Sequence, residues 1–152
     1  MYNHKEKKEK IVQLLNEYFK KKFSIYHIKM VFLYGSWAKG YPHEDSDIDL
    51  AIQFSVPAEK EDTLFELING ISYELSLQSG KEVNIIPIKE DFPHPMLYYN
   101  AIIQGMPVYI KSAQSLIDLK LEALRQMEDF KIFGTTWQQE VAKKILKEVT
   151  HA

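Results

Sequence analysis

Val31-Phe32-Leu33-Tyr34-Gly35-Ser36-Trp37-Ala38-Lys39-Gly40 runs directly into Tyr41-Pro42-His43-Glu44-Asp45-Ser46-Asp47-Ile48-Asp49-Leu50. An apolar run ends in a small, polar turn, and a second apolar run opens with two carboxylates. Ten residues separate Gly35-Ser36 from Asp47-Ile48-Asp49. That order puts a turn able to cradle phosphate beside a pair of acids able to hold a divalent cation.

Met30 to Tyr34 reads as a short buried strand of β-branched and aromatic residues. Gly35 permits a sharp turn and close backbone approach, while Ser36 offers a hydroxyl and can open a helix. Free backbone N–H groups at such a turn attract phosphate oxygens. Lys39 adds a cation four residues beyond Gly35. Asp47 to Ile52 reads as a strand of period two, so Asp47 and Asp49 share one face and Ile48 and Leu50 the other. Two like charges on a strand repel each other and are costly to desolvate. A Mg²⁺ ion relieves both, since it takes oxygen ligands and shares the rest with water and phosphate. A solvated strand edge, with the aspartates capping a turn, is the plainer alternative.

Taken together, Gly-Ser-x10-Asp-x-Asp resembles the signature of the polymerase-β-like nucleotidyltransferase superfamily. Gly35-Ser36-Trp37-Ala38-Lys39-Gly40 with Ser46-Asp47-Ile48-Asp49-Leu50 is most similar to the minimal nucleotidyltransferases, the MNT proteins. These are often antitoxin partners of HEPN-domain toxin RNases. The resemblance implies an α/β (α+β) fold with a small mixed sheet, flanking helices and a C-terminal helical pair. It implies a nucleotidyltransferase domain over residues 1–111 and a helical extension over 112–152 packed on it. It also implies a Mg²⁺-dependent adenylyltransferase that moves AMP from ATP to a HEPN toxin. In that reading Asp47 and Asp49 hold the metal, and Gly35, Ser36 and Lys39 hold the nucleotide.

The chain departs from the family pattern at two places. The third carboxylate of active relatives would fall in Lys81-Glu82-Val83-Asn84-Ile85-Ile86-Pro87-Ile88, and its position holds Asn84. An amide offers a metal an oxygen but cannot act as a general base. Glu82 lies two residues earlier, on the same strand face, and is either a substitute or a solvated edge residue. Lys39 stands where arginine is common, keeping the charge and losing the bidentate fork.

The 152 residues fit one domain with a helical appendage, and a net charge of −2 argues against broad nucleic-acid binding. No cysteine is present, which excludes disulfides, thiolate catalysis and zinc–thiolate sites. No signal-peptide core and no long apolar run is visible, so a cytoplasmic protein without a membrane span is expected.

Helical periodicity predicts helices over about 4–22, 59–78 and 96–104, with strands over about 28–34, 47–54, 82–88 and 108–110. Ile11, Leu14, Leu15, Tyr18 and Phe19 mark the first helix. Its lysines read as a solvated face, with contact to a polyanion the weaker alternative. Leu64, Leu67, Ile68, Ile71 and Leu75 stripe the next helix, which Gly80 ends. After Ser112 two helices are expected, broken at Gly134 to Thr136, with Thr136 as N-cap. Trp37 either packs on the helix after the turn or stacks on an adenine. His94 reads as a loop residue between Pro93 and Pro95. Tyr26, Tyr34, Tyr98 and Tyr99 read as core or rim.

Three functions follow from these residues: an AMP-transferring enzyme acting on a HEPN toxin, a partly degenerate relative that neutralises its toxin by covering it, and an aminoglycoside-type small-molecule nucleotidyltransferase. Asn84 favours the second and the intact Asp-x-Asp the first. Phe133 and Trp137 are candidates for the partner surface, and a homo- or hetero-oligomer is compatible with all three.

Overall fold

The computed structural model describes residues 4–39, 46–56 and 60–150. Gly40, Pro42, Asp45 and Pro57 lie outside them, as does the side chain of Phe133. The elements run α1 (His4–Lys22), β1 (Ile28–Tyr34), α2 (Ser36–Lys39), β2 (Ile48–Phe54), α3 (Glu61–Ser79), β3 (Val83–Pro87), α4 (Pro95–Ile102), β4 (Met106–Ile110) and α5 (Ala113–Thr150).

The four strands form one mixed sheet in the order β3-β2-β1-β4. β1 is antiparallel to both β2 and β4, whereas β2 and β3 run parallel. Parallel neighbours need a long crossover, and α3 supplies it. Met30, Val31, Phe32 and Leu33 are all buried, as a central strand covered on both faces requires. Val31, Leu33, Ile48, Leu50 and Ile52 pack under α1 and α3 with Leu15, Phe19, Ile71 and Leu75. Met30, Phe32 and Ala51 face the other way, onto Tyr98, Ala101 and Ile102 of α4 and Leu119 and Ala123 of α5. The result is three layers: α1 and α3, the sheet, then α4 and the first part of α5. Truncating a fully buried residue such as Leu33 to alanine costs about 2–5 kcal/mol.

Local chemistry sets the boundaries. α1 buries Ile11, Leu15, Tyr18 and Phe19 on one stripe and carries Lys20, Lys21 and Lys22 in its last turn, where cations suit the helix dipole. α3 stops at Gly80, which adopts φ 67° and donates its N–H to the Ser76 carbonyl at 2.9 Å. Pro95 opens α4, where its missing N–H is no loss.

The C-terminal region differs from the expected pair. It is one 38-residue helix, and Gly134, Thr135 and Thr136 lie inside it. A single glycine costs about 1 kcal/mol in a helix, too little to stop one with long helix-forming runs on both sides. Among the described residues, no side chain beyond Ala123 is buried. No helix of the described residues is long and apolar enough to cross a membrane.

Candidate active site

β1 ends in a turn that only glycine tolerates. Gly35 has φ +74°, and a Cβ there would collide with Oδ2 of Asp49 and lie 3.3 Å from its Cγ. The backbone of the turn therefore lies directly against the Asp49 carboxylate. The chain then makes the single turn of α2, with the Lys39 N–H bonded to the Gly35 carbonyl at 3.1 Å. Two contacts fix that turn from outside. Lys8 donates its ammonium to the Ala38 carbonyl at 3.0 Å. Trp37 is buried in the first core, and its indole Nε1–H donates to the Ser46 carbonyl at 3.2 Å. Of the two roles open to Trp37, packing is the one observed. Its hydrogen bond also ties α2 to the residue just before Asp47.

Asp47 precedes β2 and Asp49 lies within it; Ile48 and Leu50, which alternate with them, are fully buried in the first core. The aspartates thus sit on the α4 side of the sheet. Across the ladder, Asp49 pairs with Tyr34 on β1 and with Asn84 on β3. The Asn84 amide donates to Oδ2 of Asp47 and to Oδ1 of Asp49, at 3.3 Å each. Both bonds are longer than the usual 2.9–3.0 Å. Burial pushes the Asp49 carboxyl above its ordinary range; the Asn84 hydrogen bond opposes this and the Asp47 charge adds to it. Burial and then the Asp49 charge push the Tyr34 hydroxyl up in turn.

The structure brings Gly35, Asp47, Asp49 and Asn84 together. Lys39 is exposed and lines a 220 Å³ cavity with Gly35, Tyr34, Asn100 and Gln104. Ser36 opens α2 beside it. Glu82 is exposed just ahead of β3, and its carbonyl accepts the Ile48 N–H at 2.9 Å. None of the described side-chain contacts joins Glu82 to the aspartates. His94 is exposed at the start of α4. Asn100 and Gln104 went unnoticed in the sequence, because two amides around a helix end carry no motif.

Residues 9–114 match the family model described as polymerase beta, nucleotidyltransferase. The chain belongs to that family. Solved structures share its fold. A chain of a toxin–antitoxin crystal structure with AMP-PNP aligns with a TM-score of 0.65 at 16% identity, over 83% of this chain and 97% of that one. A chain of the re-refined complex of tri-AMPylated Shewanella oneidensis HEPN toxin with MNT antitoxin aligns with a TM-score of 0.61 at 14% identity, over 86% and 98%. A chain of the toxin–antitoxin MntA-HepT aligns with a TM-score of 0.61 at 15% identity, over 85% and 97%. No curated protein matches the sequence.

The family implies a divalent metal, and the donor set fits one. Asp47 and Asp49 offer oxygen atoms only, as Mg²⁺ requires. The Asn84 amide N–H group now bridges the two like charges, the place a cation would take. Turning that amide over presents its oxygen, which a cation can accept as a ligand, in place of its N–H group. Among the described residues, no group of three or more histidine, cysteine or acidic side chains gathers anywhere. Asn84 is why this site falls short of three.

Proposed function

We propose that this nucleotidyltransferase moves AMP from ATP to a tyrosine of a HEPN-domain toxin, with Mg²⁺ held by Asp47 and Asp49. One observation carries the reading: the backbone of the Gly35 turn packs against the Asp49 carboxylate, so a phosphate-binding turn and a metal-binding pair share one cleft. The AMP-PNP complex and the AMPylated toxin among its fold relatives support the nucleotide and the acceptor.

The residues divide the work as follows. The N–H groups of the turn that opens α2 hold the β- and γ-phosphates, with Lys39 adding positive charge. Asp47 and Asp49 would hold Mg²⁺, which would supply charge neutralisation at the phosphates for an in-line displacement. Before any metal is bound, Asn84 spans both carboxylates and keeps them aligned. The acceptor oxygen bonds to the α-phosphorus, the bond to the β-phosphate oxygen breaks, and pyrophosphate leaves. With an amide at position 84, no carboxylate stands there to take the acceptor's proton, which passes to solvent. Transfer is correspondingly slower than with a third aspartate.

Asn84 also supports a second reading, in which the chain neutralises the toxin by covering it. Two measurements separate the readings. Calorimetry with ATP and Mg²⁺ should show metal-dependent binding by the wild type and little by an Asp47→Asn, Asp49→Asn double variant; equal binding removes the metal assignment. Growth of cells expressing the toxin should be rescued by the wild type and not by Asp49→Ala. Rescue by Asp49→Ala, with co-purification of the two proteins, establishes covering instead.

A further inference from the structure

The end of the sheet remote from Gly35 holds a trough outside the proposed reaction. Two cavities, of about 310 and 390 Å³, share Lys29, Gln53, Ile88, Lys89 and Glu90 as lining. Together they fall in the size range of small-ligand sites. One reaches α5; the other runs under Phe54, Leu64 and Pro87.

The backbone around this trough is unusual in three places. β1 and β2 slip register between Ile28 and Met30, which makes Lys29 the bulged residue. A bulge re-aims the side chain it carries. His27 has φ 55° and Phe92 φ 47°, and no other non-glycine residue among those described has a left-handed backbone. His27 adjoins the bulge through Ile28, and Phe92 lines the cavity. Such conformations are costly and persist where surrounding contacts force them, often at binding sites.

The contacts that force them are present. Ser55 donates to the His27 carbonyl through both its N–H, at 2.8 Å, and its hydroxyl, at 3.1 Å. The buried Tyr98 hydroxyl donates to the Pro87 carbonyl at 2.7 Å and accepts the Lys89 N–H at 3.1 Å. The Phe92 N–H returns to the Lys89 carbonyl at 3.2 Å, and its ring meets Tyr98 edge-on. The segment carrying Lys89 is thus clamped before any ligand arrives.

Its charge is uncommitted. Neither the Lys29 nor the Lys89 ammonium has an ion-pair partner among the described residues. Glu90 is the one acid lining the half away from α5. On the α5 side, Glu122 is engaged by Arg125 at 2.6 Å and by Gln126 at 2.9 Å, and Asp118 by Gln114 at 2.9 Å. Two lysines and the Gln53 amide, unpartnered among the described residues, and an apolar wall suit an anion attached to a flat or apolar body.

We propose that this trough binds a phosphomonoester of the nucleoside monophosphate type, its phosphate held by Lys29 and Lys89 and its base on the Phe54–Leu64–Pro87 wall. Gln53 offers one donor and one acceptor, the pair a base edge presents in return. The site is separate from the Asp47–Asp49 cleft and owes nothing to the metal there.

Amide NMR of the full chain titrated with AMP in the presence of EDTA tests this. Shifts are expected at Lys29, Gln53, Ser55 and Lys89, with Gly35 to Lys39 unmoved. A Lys29→Ala, Lys89→Ala double variant should bind about tenfold more weakly or worse, since charged hydrogen bonds are lost. Inorganic phosphate should compete weakly, and adenosine should fail to bind. If the double variant melts below the wild type, Lys89→Glu alone serves, with the same loss expected. Shifts confined to Gly35–Lys39, unchanged binding by the lysine variants, or adenosine binding as tightly as AMP would overturn the proposal.

Discussion

The two ends of one sheet are built differently. At the Gly35 end, the strand termini bring two carboxylates and an amide together, and the tight backbone is supplied by glycine. At the Lys29 end, the groups are lysines, and the tight backbone is supplied by His27 and Phe92 under hydrogen-bond clamps. The difference shows two ways to hold a backbone in a rare conformation. Glycine needs no clamp because it bears no Cβ; a side chain in the same region needs contacts that leave it no alternative.

Position 84 tests the acidic end most severely. Asn84→Asp should raise AMP transfer by about 10²–10⁴-fold, the usual worth of a general base. Without metal it should also lower the melting temperature, because three carboxylates then face one another with no amide between them. Labelled ATP and thermal scans with and without Mg²⁺ measure the two effects. A fall in transfer would show that Asn84 is adapted to this site.

Gly35 and Gly80 sharpen the contrast between contact and conformation, since both have positive φ. Gly35→Ala meets the Asp49 carboxylate and should cost about 1–3 kcal/mol in strain, with transfer down about tenfold to a hundredfold. A Cβ on Gly80 meets nothing within 4 Å. Gly80→Ala should therefore lower stability by about 1 kcal/mol, the cost of a Cβ in the left-handed region, with transfer unchanged. Equal loss of transfer in both would mean that the Gly35–Asp49 contact does not matter.

Trp37→Phe removes the indole donor to Ser46 and keeps a ring in the core. About 1 kcal/mol of stability should go with the hydrogen bond, and the Mg²⁺ concentration for half-maximal transfer should rise. An unaltered Mg²⁺ requirement would separate α2 from the placement of Asp47.

The smallest effect lies on neither end. The Tyr18 hydroxyl donates to Glu74 at 2.6 Å, joining α1 to α3, and this hydrogen bond holds the Glu74 carboxyl below its ordinary range. A carboxyl lowered on folding stabilises the fold above its unfolded pKa, about 4.3. That stability is lost as pH falls through the lower folded value. Tyr18→Phe should flatten acid unfolding in this window, with AMP transfer at neutral pH unchanged.

Much of this was legible in the residues. α1 and β1 fall where the apolar periodicity puts them, because each buries a regular stripe. The acidic end was readable because Gly35, Ser36, Asp47 and Asp49 sit within one short stretch at a spacing that chemistry constrains. The basic end was not: Lys29, Gln53 and Lys89 come from three strands or their ends, and lysines beside strands look like any solvated edge. Nothing in the sequence marks the bulge at Lys29 or the clamp by Tyr98, which depend on register. The expected break at Gly134 failed for a local reason, a single glycine being weaker than the helix-forming runs around it. The partner surface on Trp137 stays a proposal, with that side chain exposed on the free part of α5.

In the proposed function the intact Asp47–Asp49 pair at the Gly35 turn serves AMP transfer to a toxin. Intact-mass spectrometry of a HEPN toxin co-expressed with this chain tests it most directly. The toxin should be heavier by one or more AMP units beside the wild type, and unmodified when Asp49→Ala replaces it. An unmodified toxin beside the wild type, co-purifying with it, would contradict AMP transfer by this pair.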